Sequence, residues 1–138
     1  QFVFSMWTAK INGSYEFPWQ IRVTPALRFQ SGQPYGRTIL ASAAYGIGGT
    51  GGINYGTQRI LMEEIGTRTQ DNITIFDVRA EKYFNLPSNR RVGVFFDVYN
   101  LNNSAAQQNI TWNSGGAFEL PSSIVPPTIA RFGMKFDW

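Results

Sequence analysis

The sequence closes on IARFGMKFDW, a stretch in which every second side chain is apolar. Ala130, Phe132, Met134, Phe136 and Trp138 take the even positions, and Arg131, Gly133, Lys135 and Asp137 the odd ones. Successive side chains of an extended strand point to opposite faces of a sheet. One face of this strand is therefore fully apolar and the other charged or bare. Such a strand suits a soluble two-sheet protein, or the wall of a membrane barrel with lipid outside and a wet lumen inside.

The alternation recurs in four more places. Between Thr8 and Phe17 the apolar set is Ala9, Ile11, Gly13, Tyr15 and Phe17, opposed by Thr8, Lys10, Asn12, Ser14 and Glu16. Ile21, Val23, Leu27 and Phe29 alternate with Arg22, Thr24, Ala26 and Arg28; Pro25 weakens that run, because it cannot donate to a ladder. In ITIFDVRAEKYF, 73–84, Phe76, Val78, Ala80 and Phe84 oppose Asp77, Arg79, Glu81 and Tyr83. In RVGVFFDVYNL, 91–101, Val92, Val94, Phe96 and Val98 oppose Gly93, Phe95, Asp97 and Tyr99. Each run has about ten residues, and a tilted strand needs ~9–11 to cross a bilayer. Helical periodicity is absent over any useful length; QRILMEEIG, 58–66, is the one stretch with room for a turn or two of helix.

The links between runs alternate in length. Those at 18–19 and 85–90 are tight, and those at roughly 31–72 and 102–128 are long. Links that long are unusual in a compact soluble domain. Outer-membrane barrels have short periplasmic turns and longer extracellular loops. With Trp138 on the periplasmic side, both tight turns fall on that side too. The expected fold is all-β: an antiparallel up-and-down transmembrane β-barrel segment, about five strands of a larger barrel, with two long extracellular loops. Residues 1–138 then form one part of the barrel, with no separate second domain.

Composition excludes several function classes. Charged residues make up 15% of the 138 and the net charge is +3, with no run of Lys and Arg, so no nucleic-acid partner is expected. Cysteine and histidine are both absent. That removes disulfides, thiolate chemistry, the commonest general base and the commonest metal ligand, so no enzyme, metal or cofactor is expected. No segment approaches ~18 continuous apolar residues, so no transmembrane helix is expected. Beginning at Gln1 without Met or a signal peptide, the chain reads as a mature or excised piece of something longer.

Four segments, in order, carry a family resemblance: YEFPWQIRVTPALRFQSGQPYGRT, FDVRAEKYFNL, RVGVFFDVYNLNN and PPTIARFGMKFDW. Together, from about Ser14 to Trp138, they resemble the C-terminal barrel strands of TonB-dependent receptors, in particular the Oar-like group with a carboxypeptidase-regulatory-like domain at the N-terminus. The resemblance implies a transporter of the Gram-negative outer membrane, with a barrel of about 22 strands around a plug and uptake of a scarce ligand energised through TonB. It also implies four partners: membrane lipid, the remaining strands and plug of the parent receptor, the TonB complex acting on an N-terminal region, and the barrel-assembly machinery. Phe132, Phe136 and Trp138 match the C-terminal assembly signal. Plug and TonB box are not in this sequence, and about five strands cannot close so large a barrel. The alternative from another class is a self-standing β-sheet surface adhesin or assembly subunit, its apolar face packed on a second sheet or a neighbouring chain.

Candidate site residues fall into two groups. Asp77, Arg79, Glu81, Asp97, Arg131 and Lys135 share the polar face and read as a lumen-facing charged ladder; Asp77 and Glu81 each have Arg79 two positions away, which suits ion pairing better than acid–base work. Tyr35, Tyr45, Tyr55 and Trp112 sit in the long links and are possible ligand contacts, since loop aromatics hold sugars and other flat-faced ligands. GIGGTG, 46–51, matches a dinucleotide-binding spacing with Asp71 downstream, but GINYGTQRI cannot start a sound helix, so a flexible external loop is the better reading. Tyr15, Phe17, Trp19, Tyr83, Phe84, Phe136 and Trp138 gather near the tight turns, as an aromatic girdle does at a membrane border.

Overall fold

The structure is a computed structural model that describes residues 4–41 and 57–138. Its strands are β1 (Thr8–Asn12), β2 (Tyr15–Phe17), β3 (Ile21–Gln30), β4 (Pro34–Tyr35), β5 (Thr38–Ala41), β6 (Gln58–Leu61), β7 (Arg68–Thr69), β8 (Ile73–Leu86), β9 (Arg90–Tyr99), β10 (Gln107–Ile110), β11 (Pro121–Ile124) and β12 (Ile129–Asp137). All pairing between these strands is antiparallel, and the described residues contain no α-helix, hence none long and apolar enough to cross a membrane. The chain forms two compact units. The sheet unit holds 8–30, 72–106 and 125–138; the loop unit holds the described residues of 1–7, 31–71 and 107–124.

The five alternating runs build the sheet unit. Its order is β1–β3–β8–β9–β12, with β2 also on β3. β1 and β2 act as one strand: Thr8↔Gln30 and Phe17↔Ile21 belong to a single register, so the ladder slips nowhere between them. The break in that strand, at Gly13–Ser14, lies opposite Pro25. The Gly13 N–H donates to the Pro25 carbonyl at 3.2 Å, but Pro25 has no N–H to return the bond. The cost of a proline in mid-strand is thus confined to one ladder position. The sheet is open: β1/β2 forms one edge and β12 the other.

Both tight turns have three residues, led by proline. Pro18–Gln20 joins Phe17 to Ile21, and Pro87–Asn89 joins the paired residues Leu86 and Arg90. Proline presets φ for the first position. The next two residues take the left-handed region: Trp19 at 68° and Gln20 at 61°, Ser88 at 65° and Asn89 at 59°. The long links leave from the opposite ends of the strands, where Gln30 pairs with Ile73 and Tyr99 with Ile129. There the unit has its small buried core, Ile73, Ile75 and Val125 with Ala106 against them. Asn100, in the left-handed region, ties this end together. Its N–H donates to Asp77 Oδ1 (2.8 Å), its Nδ2 to the Ser104 and Pro126 carbonyls (3.0 and 2.7 Å), and its carbonyl accepts from Thr128 Oγ1 (2.7 Å).

Away from that core the sheet is a single layer with unlike faces. Register places Ile11, Leu27, Phe76, Val78, Phe96, Phe132 and Met134 on one side. Among the described residues no second layer packs on them: Phe132 is 66% exposed and Met134 67%, while Leu27, Phe76 and Val78 are half-buried between their sheet neighbours. The polar side is packed through its glycines. The Phe95 ring lies where a Cβ on Gly133 would be, and the Tyr83 ring lies 3.0 Å from the corresponding point on Gly93. Gly133→Val should therefore push Phe95 aside and destabilise the sheet by about 1–3 kcal/mol, as overpacking does. A denaturant titration that shows no loss would mean the ring is not seated there.

In the loop unit the long links are not bare. β4 pairs with β7, β5 with β6, and β10 with β11. QRILMEEIG makes no helix: Gln58–Leu61 is strand β6, with Ile60 facing Ile39, and turns follow it. A helix that short is marginal in water, and the ladder with β5 outcompetes it. The GIGGTG stretch lies outside the described residues.

Candidate functional site

The charged residues of the polar face converge on Asp97. Because Arg79 and Arg131 are its direct cross-strand partners, both guanidiniums reach it. Arg79 donates through Nε (2.6 Å) and Nη2 (3.0 Å), and Arg131 through Nε (2.9 Å) and Nη2 (2.6 Å). Tyr99 adds its hydroxyl at 3.3 Å. Asp97 is 2% exposed, and its carboxylate is covered by the very groups that neutralise it. The ring of Phe95, seated over Gly133, takes Arg79 at 5.0 Å and Arg131 at 5.6 Å on its face. Glu81 completes the charge balance, 3.7 Å from Arg79. Charges held this way order the sheet.

The ladder read from sequence is thus two clusters and an outlier. Lys135 does not join the triad; it pairs with Asp137 (3.4 Å), which Arg91 approaches at 3.7 Å. Asp77 makes no ion pair among the described residues, although Arg79 is two positions away. Its carboxylate accepts the Asn100 N–H instead, because the chain turns out of β9 at that point. Between the clusters a cavity of about 270 Å³ opens over Gly93, with Tyr83, Phe95, Glu81 and Lys135 around it. Tyr83 belongs to this polar face and not to an outward aromatic band, its ring taking Arg91 at 4.7 Å and Arg22 at 5.8 Å. Of the terminal residues, Phe132, Phe136 and Trp138 are all exposed on the apolar side, with the last two rings 5.9 Å apart.

The loop unit has its own polar network, which the sequence reading did not single out. Arg68 bridges Glu63 (2.8 Å) and Glu119 (2.7 Å), and Glu63 also accepts the Arg37 N–H at 3.2 Å. The rings and cations interleave, with Arg37 and Arg68 at 4.6 and 5.3 Å from the Phe118 ring. Hydrogen bonding from Arg68 holds the Glu63 carboxyl below the usual carboxylate range, and Glu63 in turn raises the Arg68 guanidinium. Tyr35 is 5% exposed, stacked on Trp112 at 6.1 Å, with its hydroxyl donating to Glu119 at 2.9 Å. Burial first, then Glu119, pushes the Tyr35 phenol up. Of the four loop aromatics, Tyr35 is spent on packing and Trp112 lies against it, while Tyr45 and Tyr55 lie outside the described residues. Glu63 and Arg68 are five residues apart, but Arg37 and Glu119 are too far from them in sequence to be read as partners without the fold.

Compared with known proteins, the chain matches no family model, no curated protein and no solved structure.

Proposed function

We propose that the chain is the C-terminal wall segment of a TonB-dependent outer-membrane receptor, a transporter and not an enzyme. One observation carries this reading: a continuous apolar face runs across the sheet, exposed at Ile11, Phe96, Phe132 and Met134 and half-buried at Leu27, Phe76 and Val78, with paired charges on the reverse. A water-soluble protein rarely leaves so continuous an apolar surface bare. A bilayer covers it without a second layer of protein. β3, β8, β9 and β12 have 10, 14, 10 and 9 residues, enough to cross an apolar band about 25 Å tall. The link pattern agrees, with tight proline-led turns on one border and long links on the other.

The open edges define the partner. In lipid an unpaired edge costs several kcal/mol per backbone group, so the sheet needs further strands. β1/β2 and β12, first and last of a five-strand meander, run in the same direction. Only an odd number of additional strands closes the wall with every pair antiparallel, and the parent receptor would supply them. The charged face then lines the lumen, and Phe132, Phe136 and Trp138 serve as the assembly signal.

The test is solubility. Produced without detergent, the chain should aggregate through its bare face and edges. A monodisperse, cooperatively folding product would overturn this reading and favour the adhesin or assembly subunit. Trp138→Asp should leave synthesis of the parent protein intact and block its assembly into the outer membrane, read as its loss from the membrane fraction. Normal membrane levels would remove the assembly role of the C-terminus.

A further inference from the structure

The loop unit carries a cavity of about 380 Å³ lined by Gln33, Arg59, Asn109, Thr111, Trp112 and Asn113, together with Ile110. Its chemistry is one-sided. No lining residue is acidic, three are amides, one is a hydroxyl, and Arg59 makes no ion pair among the described residues. Everywhere else in this unit arginine is matched by glutamate: Arg37 by Glu63, and Arg68 by Glu63 and Glu119. An arginine left beside amides and an indole is equipped to meet a negative charge from outside.

The lining is also held in place before any ligand arrives. Thr38, buried in β5, pins the 112–114 segment: its N–H donates to the Trp112 carbonyl (2.9 Å), its Oγ1 to Asn113 Oδ1 (2.7 Å), and its carbonyl accepts the Ser114 N–H (2.7 Å). With Oδ1 taken, Asn113 presents its NH₂ as a donor. Asn109 is fixed the other way. Its Nδ2 donates to Ser123 Oγ at 3.0 Å, which leaves Oδ1 as an acceptor. The Trp112 ring is braced by Tyr35, whose hydroxyl is anchored on Glu119. Donor, acceptor, cation and aromatic plate are thus set by bonds to other parts of the same unit, which reduces the ordering cost of binding.

We propose that this cavity binds a carboxylate-bearing saccharide. The guanidinium of Arg59 takes the carboxylate. Asn113, Asn109 and Gln33 serve ring hydroxyls, which both donate and accept, and the indole of Trp112 lies under the apolar C–H face of a sugar ring. A bare inorganic anion would use the cation and leave the amides and the indole idle. A neutral sugar would leave the cation idle. The volume lies near the lower end of the about 300–1,000 Å³ common for ligand sites, which suits one or two sugar units, as at the end of a short acidic oligosaccharide whose remaining unit stays in solvent. The inference deepens the transporter reading and rests on it for the sugar's role as cargo; the binding itself stands on the loop unit alone.

The full chain in detergent micelles is titrated calorimetrically with trigalacturonate, with the uncharged trisaccharide maltotriose and with inorganic phosphate. Trigalacturonate should bind about tenfold or more tighter than maltotriose, the margin expected of one charge-assisted hydrogen-bonding group. Arg59→Gln, an exposed position on β6, should erase that margin and keep weak binding of both sugars. Trp112→Ala should lose both. Equal affinity for the two sugars, no response to Arg59→Gln, or phosphate displacing trigalacturonate at equal concentration would each overturn the proposal. The transporter reading fails separately: a chain that binds trigalacturonate but is soluble and monodisperse without detergent keeps the site and loses the membrane role. A chain that requires detergent and ignores the acid sugar does the reverse.

Discussion

Phe96→Arg should lower the stability of the assembled parent protein by about 2–4 kcal/mol, measured by reversible denaturant unfolding from phospholipid vesicles. Phe96 sits in the row Ala80–Phe96–Phe132, midway along β8, β9 and β12, on the uncovered apolar face. In the proposed bilayer a guanidinium at that depth would neither keep its water nor reach the headgroups. The effect should fade with distance from the middle. Leu86→Arg, on the same face but next to the 87–89 turn, should cost only about 0–1 kcal/mol, since the charge reaches the interface. Lys82 already behaves this way. It lies on the apolar face, yet its ammonium reaches back to the carbonyl of Trp19 in the other turn, over the ring of Phe84. A protein–protein interface has no reason to grade the penalty by depth, so equal losses at Phe96 and Leu86 would contradict a bilayer.

Asp97→Ala should be the most damaging change on the polar face. It strands two guanidiniums, with only Glu81 among the described residues near enough to balance either of them. Breaking a fully buried ion pair costs about 3–5 kcal/mol; here the arginines are partly in solvent, so about 2–3 kcal/mol is expected. The sign of the second-site effect identifies the cause. Arg131→Leu in the Asp97→Ala background should recover part of the loss, because it removes one unmatched cation. A simple sum of the two losses would mean that Asp97 acts through packing and not through charge.

How far these features could be read from sequence depends on whether they are local. A period of two is local, so the five runs, their faces and both tight turns follow from the residues themselves: Phe132 and Met134 against Arg131 and Lys135, Pro18 and Pro87 at the turns. Cross-strand pairing is not local. That Arg79 and Arg131 meet on Asp97 depends on register, which no single strand contains. For the same reason Asp77, which looked like a partner for Arg79, goes to the Asn100 N–H. Pro25 looked disruptive, but its missing donor falls opposite a single glycine. In the long links, short pairings such as Ile39 with Ile60 carry no periodic signal over four residues, and so β4–β7, β5–β6 and β10–β11 were illegible. Asn100 has a local hint, an asparagine suited to the left-handed region directly after a strand. Its bonds to Asp77, Ser104, Pro126 and Thr128 emerge only in the fold.

The claim beneath the functional reading is that even-numbered side chains of β12 touch hydrocarbon while odd-numbered ones touch water. The chain has no cysteine, so single cysteines placed along 130–137 can each carry one nitroxide label. In the proposed parent protein reconstituted in vesicles, collision with dissolved oxygen reports lipid exposure, and collision with a water-soluble nickel chelate reports aqueous exposure. The account predicts that oxygen dominates at 130, 132, 134 and 136 and the chelate at 131, 133 and 135. Even positions shielded from both reagents, or reached as readily by the chelate as the odd ones, would contradict it.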